Sequence, residues 1–187
     1  MTPLGTVVGD ERPRLFLGFR LPDATARRVT RWQREELGSP GHARLVPEEN
    51  LHVTIAFLGS RPAAEVGSIA GALRESAEGA ALPVLTPSRY RETRSVGMLV
   101  FEDLEGRAAR IAEDVHERLA RLGVYQPEQR SWLPHLTVLR FRERPRLEPP
   151  IPDLGPVTMS DAAVYISRLR STGAQYEVLE SVPLGGG

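Results

Sequence analysis

The chain has 187 residues, with 24 basic and 24 acidic side chains, every basic one arginine, and no cysteine. The missing cysteine excludes disulfides, thiolate nucleophiles and cysteine-based metal sites. The missing lysine excludes Schiff-base chemistry, the phosphate-loop lysine and a lysine–nucleotide adduct. A hydrophobic fraction of 41% is enough for one domain with a real core. No apolar run approaches the roughly 18 residues of a membrane span, and residues 1–13 lack the basic start and apolar stretch of a secretory signal. The expectation is a soluble cytoplasmic protein that forms a single domain over 1–187.

In chain order, residues 1–13 read as a loose arm. Arg14–Arg20 alternates Leu15, Leu17 and Phe19 against Phe16, Gly18 and Arg20, a strand pattern. A helix capped by Asp23 runs to Leu37, with Val29 and Trp32 inward and Gly38 as its stop. After a Ser39-Pro40-Gly41 turn come a short strand over 43–46 and a strong one over 52–58. Gly59 and Ser60 open a second helix, with Pro62 in its first turn and Val66, Ile69, Ala70 and Leu73 on its buried face. Two strands over 82–91 and 96–102 lead to a third helix over 104–122, striped by Ile111, Val115, Leu119 and Leu122. A strand over 135–141 follows. Residues 145–156 hold five prolines and form a stiff connector. Two last strands, 157–169 and 175–182, meet at a Ser171-Thr172-Gly173 turn, and 185–187 form a tail. The sum is about eight strands and three helices. Strand, helix and histidine-bearing strand recur in that order before residue 60 and again over 96–141.

Four histidines are present, His42, His52, His116 and His135. Two stand in matched frames, Leu51-His52-Val53-Thr54-Ile55 and Pro134-His135-Leu136-Thr137-Val138. Period-two alternation turns His52 and Thr54 one way and Val53, Ile55 and Phe57 to the core, and treats His135 and Thr137 likewise over Leu136 and Val138. Each strand thus offers an imidazole, which gives or takes protons near neutral pH, and a hydroxyl that donates to a phosphate oxygen without adding charge. Two such pairs across a cleft fit acid–base phosphodiester chemistry without a metal. Neither frame has an acidic residue or second histidine at ligand spacing. His116, beside an apolar helical stripe, is expected to face solvent, and His42 to be an incidental loop residue. Arg130, Arg140, Arg142, Arg144 and Arg146 gather near the second motif with only Glu143 opposing them in sequence, a local basic edge under a neutral total. Strict alternation points Arg140 away from His135 and Thr137 unless the strand bulges or ends near Leu139. Phe16 either stacks on a base or fills the core.

The segments HVTIAFLG at 52–59 and PHLTVLRF at 134–141 resemble the two signatures of the 2H phosphoesterase superfamily. Within it they are most similar to the LigT-like branch of 2′-5′ RNA ligases, or RNA 2′,3′-cyclic phosphodiesterases. Arg14-Leu15-Phe16, Glu49-Asn50-Leu51 before His52, Arg130, Arg140 and the closing Tyr165–Leu169 and Tyr176–Leu179 also match that branch, over about residues 14–184. The resemblance implies an α+β, bilobal fold of two mainly antiparallel sheets with flanking helices around a central cleft. It implies hydrolysis of RNA 2′,3′-cyclic phosphate ends to 2′-phosphates, with His52 as proton donor and His135 as acceptor, though two chemically alike histidines could exchange those roles. Thr54, Thr137, Arg140, Arg130 and Phe16 would bind substrate, with no metal and no cofactor. The partner would be RNA 3′ ends or oligonucleotides carrying a cyclic phosphate, met by a monomer without a membrane. Without lysine, any 2′-5′ joining would be the ATP-independent reverse of transesterification. Two rival readings are a phosphodiesterase for small cyclic-phosphate nucleotides and a non-catalytic RNA-end-binding module.

Overall fold

A computed structural model describes residues 12–38, 41–170 and 173–185. Most of the expected N-terminal arm, Ser39 and Pro40, Ser171 and Thr172 of the last turn, and the end of the tail lie outside the described residues. Among the described residues nine strands and three α-helices follow in the order β1 (Arg14–Arg20), α1 (Asp23–Trp32), β2 (Arg44–Leu45), β3 (His52–Ser60), α2 (Val66–Ala77), β4 (Val84–Glu92), β5 (Val96–Glu102), α3 (Arg107–Arg121), β6 (His135–Arg140), β7 (Val157–Thr158), β8 (Asp161–Arg170) and β9 (Gly173–Pro183). The class is α+β with a mainly antiparallel, curled sheet. The strands lie in the order β7-β4-β5-β6-β3-β1-β8-β9, and β2 adds to β6.

The sheet has two halves. β7, β4, β5 and β6 make one, and β3, β1, β8 and β9 the other. Long ladders run within each half, but β3 and β6 share the single antiparallel pair Val53↔Leu136. One contiguous apolar core lies under both halves and includes Leu15, Leu17, Phe19, Val53, Leu99 and Leu136. α2 contributes Val66, Ile69, Ala70 and Leu73 to that core, and α3 contributes Ile111, Val115 and Leu119. Leu122, expected on the same stripe, lies past the helix end and is exposed.

Several boundaries differ from the sequence reading, each for a local reason. β3 runs on through Gly59 and Ser60, because both still pair with β1; Pro62 instead precedes a short 3-10 turn, Ala63–Glu65, ahead of α2. α3 starts at Arg107, not Leu104, because the Asp103 carboxylate accepts from the backbone N–H groups of Arg107 and Ala109 at 3.1 and 2.8 Å. Leu104 is left in solvent. The expected strand over 157–169 is two strands. Val157–Thr158 pairs with β4 in one half and Asp161–Arg170 with β1 in the other, so the chain changes halves at Met159 and Ser160.

The proline-rich connector has no regular element, and side chains hold it in place. Trp32 donates its indole N–H to the Pro150 carbonyl at 2.8 Å, and Arg28 donates to the carbonyls of Asp153 and Leu154. At its start, the buried Glu92 carboxylate accepts from the backbone N–H groups of Arg146 (2.9 Å) and Leu147 (2.8 Å) and pairs with Arg144 at 3.1 Å. Arg146 has φ of 58°, which points successive amides at one acceptor. Glu92→Gln replaces one acceptor oxygen by a donor facing those N–H groups. Urea unfolding should find it less stable by about 1–3 kcal/mol, and an unchanged midpoint would show the carboxylate is not the anchor.

Candidate active site

The junction of the two halves carries both histidine motifs. With Val53 opposite Leu136 and both buried, the flanking residues fall on the other face of the sheet. The antiparallel sense sets His52 towards Thr137 and Thr54 towards His135, an approximate two-fold arrangement about the one bridging pair. Diagonal side chains on such a pair are about 7–8 Å apart. His52, Thr54, His135 and Thr137 are all partly exposed there.

Each motif strand contains a bulge three residues after its histidine. Opposite β1, Ala56 pairs with Leu17 and Thr54 with Gly18, so Ile55 is the extra residue. Opposite β5, Leu139 pairs with Gly97 and Thr137 with Met98, so Val138 is the extra residue. Ile55 and Ala56 are both buried, as are Val138 and Leu139. The bulge inverts the alternation beyond it. Phe57, expected in the core, is therefore on the histidine face and 53% exposed. Arg140 is on that face too, and its charge reaches His52. Of the two courses the sequence left open for Arg140, the bulge is the one taken.

Both bulges are held by side chains that the motifs do not include. The Val138 carbonyl accepts from the Val46 N–H at 3.0 Å and from the Gln33 side-chain amide at 2.7 Å. Gln33 is fully buried at the start of a π-helical turn, Gln33–Leu37, that prolongs α1, and it also donates to the Val46 carbonyl at 3.1 Å. The Ile55 carbonyl accepts from His116 Nε2 at 2.7 Å. His116 is thus not the solvent-facing residue that its helical position implied. It is half-buried against Tyr125, with ring centroids 4.9 Å apart, and does at the first motif what Gln33 does at the second. A polar residue next to an apolar stripe was the only sequence signal for either.

The two imidazoles are oriented alike. His52 Nδ1 lies 2.8 Å from the Asn50 carbonyl and His135 Nδ1 2.8 Å from the Leu133 carbonyl. A carbonyl only accepts, so each Nδ1 carries the proton and each neutral ring leaves the Nε2 lone pair free. Their surroundings differ. His52 is walled by Phe16, Tyr176 and Tyr165, with centroids 4.6, 5.4 and 5.6 Å away. That burial pushes its pKa down to about 4; the Asn50 carbonyl pulls upward, while Arg140 and His135 add to the fall.

The remaining sequence candidates fall around this centre. Phe16 is 3% exposed and stacks on Tyr165 behind the His52 ring, so it shapes the imidazole's pocket and offers no free face to a base. Arg130 is exposed and paired with Glu128 on the rim of a cavity of about 280 Å³ beside Thr54 and His135, whose walls include Phe57, Met98 and Trp132. Of the basic cluster near the second motif, Arg130 and Arg144 have carboxylate partners in Glu128 and Glu92, not in the neighbouring Glu143. His42 lies at the edge of a separate groove with Arg44, Arg140 and Arg142.

Gly18 makes room for His52. A Cβ there would meet His52 Cδ2 at 3.2 Å and the Val53 carbonyl oxygen at 3.1 Å. Gly18→Ala should push the ring towards water and raise its pKa from about 4 towards 6.5, followed by NMR titration of its Cε1–H. An unmoved midpoint would show that the β1 backbone yields instead.

Comparisons with known proteins bear on the fold that carries this site. The family model described as LigT like Phosphoesterase matches residues 19–86. An RNA 2′,3′-cyclic phosphodiesterase of Methanocaldococcus jannaschii is 25% identical over 175 residues, 89% of this chain and 98% of its own. One from Escherichia coli is 29% identical over 133 residues, 70% of this chain and 73% of its own. Among solved structures, E. coli LigT complexed with NADP+ has a TM-score of 0.80 at 24% identity, covering 93% of this chain and 98% of that one. A Thermus thermophilus protein, TT0787, has a TM-score of 0.75 at 25% identity, covering 92% and 98%. Both motifs are joined at the centre of a fold that this chain shares with the LigT structures, and its residues 19–86 are similar to the LigT-like phosphoesterase family.

Proposed function

We propose that the protein hydrolyses 2′,3′-cyclic phosphate ends of RNA to 2′-phosphates without a metal. The observation that carries this reading is the pairing of two His-Thr strands at Val53↔Leu136, with both Nδ1 atoms bound to backbone carbonyls. Two Nε2 atoms and two hydroxyls then serve one phosphate-sized site. Among the described residues no three His, Asp or Glu side chains gather as metal ligands, and the curated relatives are named RNA 2′,3′-cyclic phosphodiesterases.

In the mechanism, Thr54 and Thr137 donate to the two non-bridging oxygens of the cyclic phosphodiester. Arg140, on the same face, offsets charge that builds on the phosphorus oxygens. His135, acting through its Nε2 lone pair, takes a proton from water as the water oxygen attacks phosphorus. The bond from phosphorus to the 3′ oxygen breaks, and His52 gives that oxygen a proton, leaving the phosphate on the 2′ oxygen. Joining a 5′-hydroxyl to the cyclic end would follow the same steps with a ribose oxygen as nucleophile and no ATP. In dilute solution, water outcompetes it.

His52 must be protonated for this role, yet burial keeps it neutral in the free protein above about pH 4. A phosphate anion beside the ring favours the imidazolium and raises its pKa in the complex. Between those two pKa values, binding therefore takes up a proton. Calorimetry of a nucleoside 2′-phosphate at pH 6–7, in buffers of different ionisation enthalpy, should detect uptake approaching one proton, lost in His52→Ala. Proton release on binding would contradict the assignment of His52 as donor.

His52→Ala and His135→Ala should each lower kcat on a cyclic-ended oligonucleotide by about 10²–10⁴, with rates in EDTA unchanged. Full turnover by either variant would remove the two-histidine mechanism. Binding of cyclic-ended RNA with no 2′-phosphate formed by the unaltered protein would make it an RNA-end-binding module.

A further inference from the structure

Arg44 on β2 and Arg140 on β6 are directly opposite partners in an antiparallel ladder, and both are exposed. Like charges in that relation repel, with Cβ atoms about 5 Å apart. Arg142 stands two residues beyond Arg140, and none of the three makes an ion pair among the described residues. With His42 and Gly41 they line an open groove of about 620 Å³ that has no carboxylate among its described lining residues. Repelling guanidiniums without a counter-charge are stabilised by an anion from outside, and their planar donors match phosphate oxygens.

The groove is joined to the active site through one residue. Arg140 lines it and, because of the Val138 bulge, also stands on the face that carries His135 and Thr137. An anion in the groove therefore adjoins the reacting phosphate. In a nucleic acid strand the neighbour of one phosphate is the next phosphodiester along the backbone.

We propose that the groove formed by Arg44, Arg140 and Arg142 is a second phosphate subsite that binds an internal phosphodiester of the RNA strand whose cyclic end is being hydrolysed. This rests on the function proposed above and sharpens its substrate class to oligonucleotides. A nucleoside cyclic phosphate fills only the catalytic site; a strand fills both and gains affinity that depends on salt.

The test compares three substrates with the same terminal nucleoside: the nucleoside 2′,3′-cyclic phosphate, its 5′-phosphorylated form and a short oligonucleotide. Each is assayed with the unaltered chain and with the double variant R44Q/R142Q. Removing one member of a repelling pair should not lower Tm, which is measured alongside. The oligonucleotide should show a KM about tenfold or more below that of the nucleoside cyclic phosphate. The double variant should erase most of that advantage, with kcat within about twofold and a shallower salt dependence, while the nucleoside kinetics stay unchanged. An equal KM rise on nucleoside and oligonucleotide, or no rise, overturns the subsite. The 5′-phosphorylated nucleoside carries its phosphate where the strand carries the next phosphodiester, so it should recover much of the advantage, and no recovery overturns the adjoining phosphate as the groove's occupant. Fluorescence anisotropy of a labelled oligonucleotide ending in a 2′-phosphate separates the two claims. Weaker binding by the double variant without turnover by the unaltered chain keeps the groove and removes the hydrolase. Equal binding by both proteins removes the groove.

Discussion

The contact between β3 and β6 at Val53 and Leu136 organises the site. Within each half the ladders are long, and each half has a strand–helix–strand unit ending in a histidine motif. The halves meet edge to edge through one backbone pair, so the motif strands touch only where their chemistry lies. The buried side chains of that pair anchor both strands in one core, while the residues on either side supply two imidazoles and two hydroxyls to one place. An antiparallel meeting of two similar strands gives a near two-fold site without identical sequences.

The likeness extends below the motifs. A bulge follows each histidine at the third residue, and a side chain from the helical segment of the other half's strand–helix–strand unit holds its carbonyl, His116 of α3 for Ile55 on β3 and Gln33 after α1 for Val138 on β6. A bulge leaves a backbone group out of the ladder, and inside a core that group needs a partner. The π-helical turn that begins with Gln33 is part of that solution, since it ends α1 with the amide aimed at β6. Beyond the bulges the two strands differ in what they present: Phe57 faces Arg14 at 5.6 Å, and Arg140 faces Arg44 and His52. The framework is nearly symmetric, but the surroundings are not. Among the described residues three aromatic rings surround His52 and none is in ring contact with His135, so two chemically alike imidazoles sit in unlike surroundings.

Charge follows the same logic. The five arginines over 130–146 look like one basic edge in sequence, but the fold divides them. Glu128 engages Arg130, and Glu92, brought from the end of β4, engages Arg144 and orders the connector. Arg140 and Arg142 keep their charge, joined by Arg44 from β2, a residue nearly a hundred positions earlier. A net charge of zero is compatible with a concentrated anion-binding groove because the carboxylates are placed elsewhere.

Short-range rules made much of this legible in advance. Period-two and helical spacing gave the helices and all but one of the strands, since those patterns depend on neighbours along the chain. The repeated His-x-Thr frame gave the catalytic candidates, because alternation puts those residues on one face over the two or three positions before the bulge. Alternation failed at Phe57, could not choose for Arg140, and missed His116 and Gln33. Each depends on one inserted residue or on a carbonyl from a distant strand, which leaves no periodic trace. What the sequence by itself determined was the chemistry available: histidines without lysine or cysteine, in two like frames. Only the tertiary structure decided which arginine faces the histidines, which imidazole the aromatic rings enclose and which guanidiniums among the described residues stay unpaired, because each depends on contacts between strands far apart in the chain.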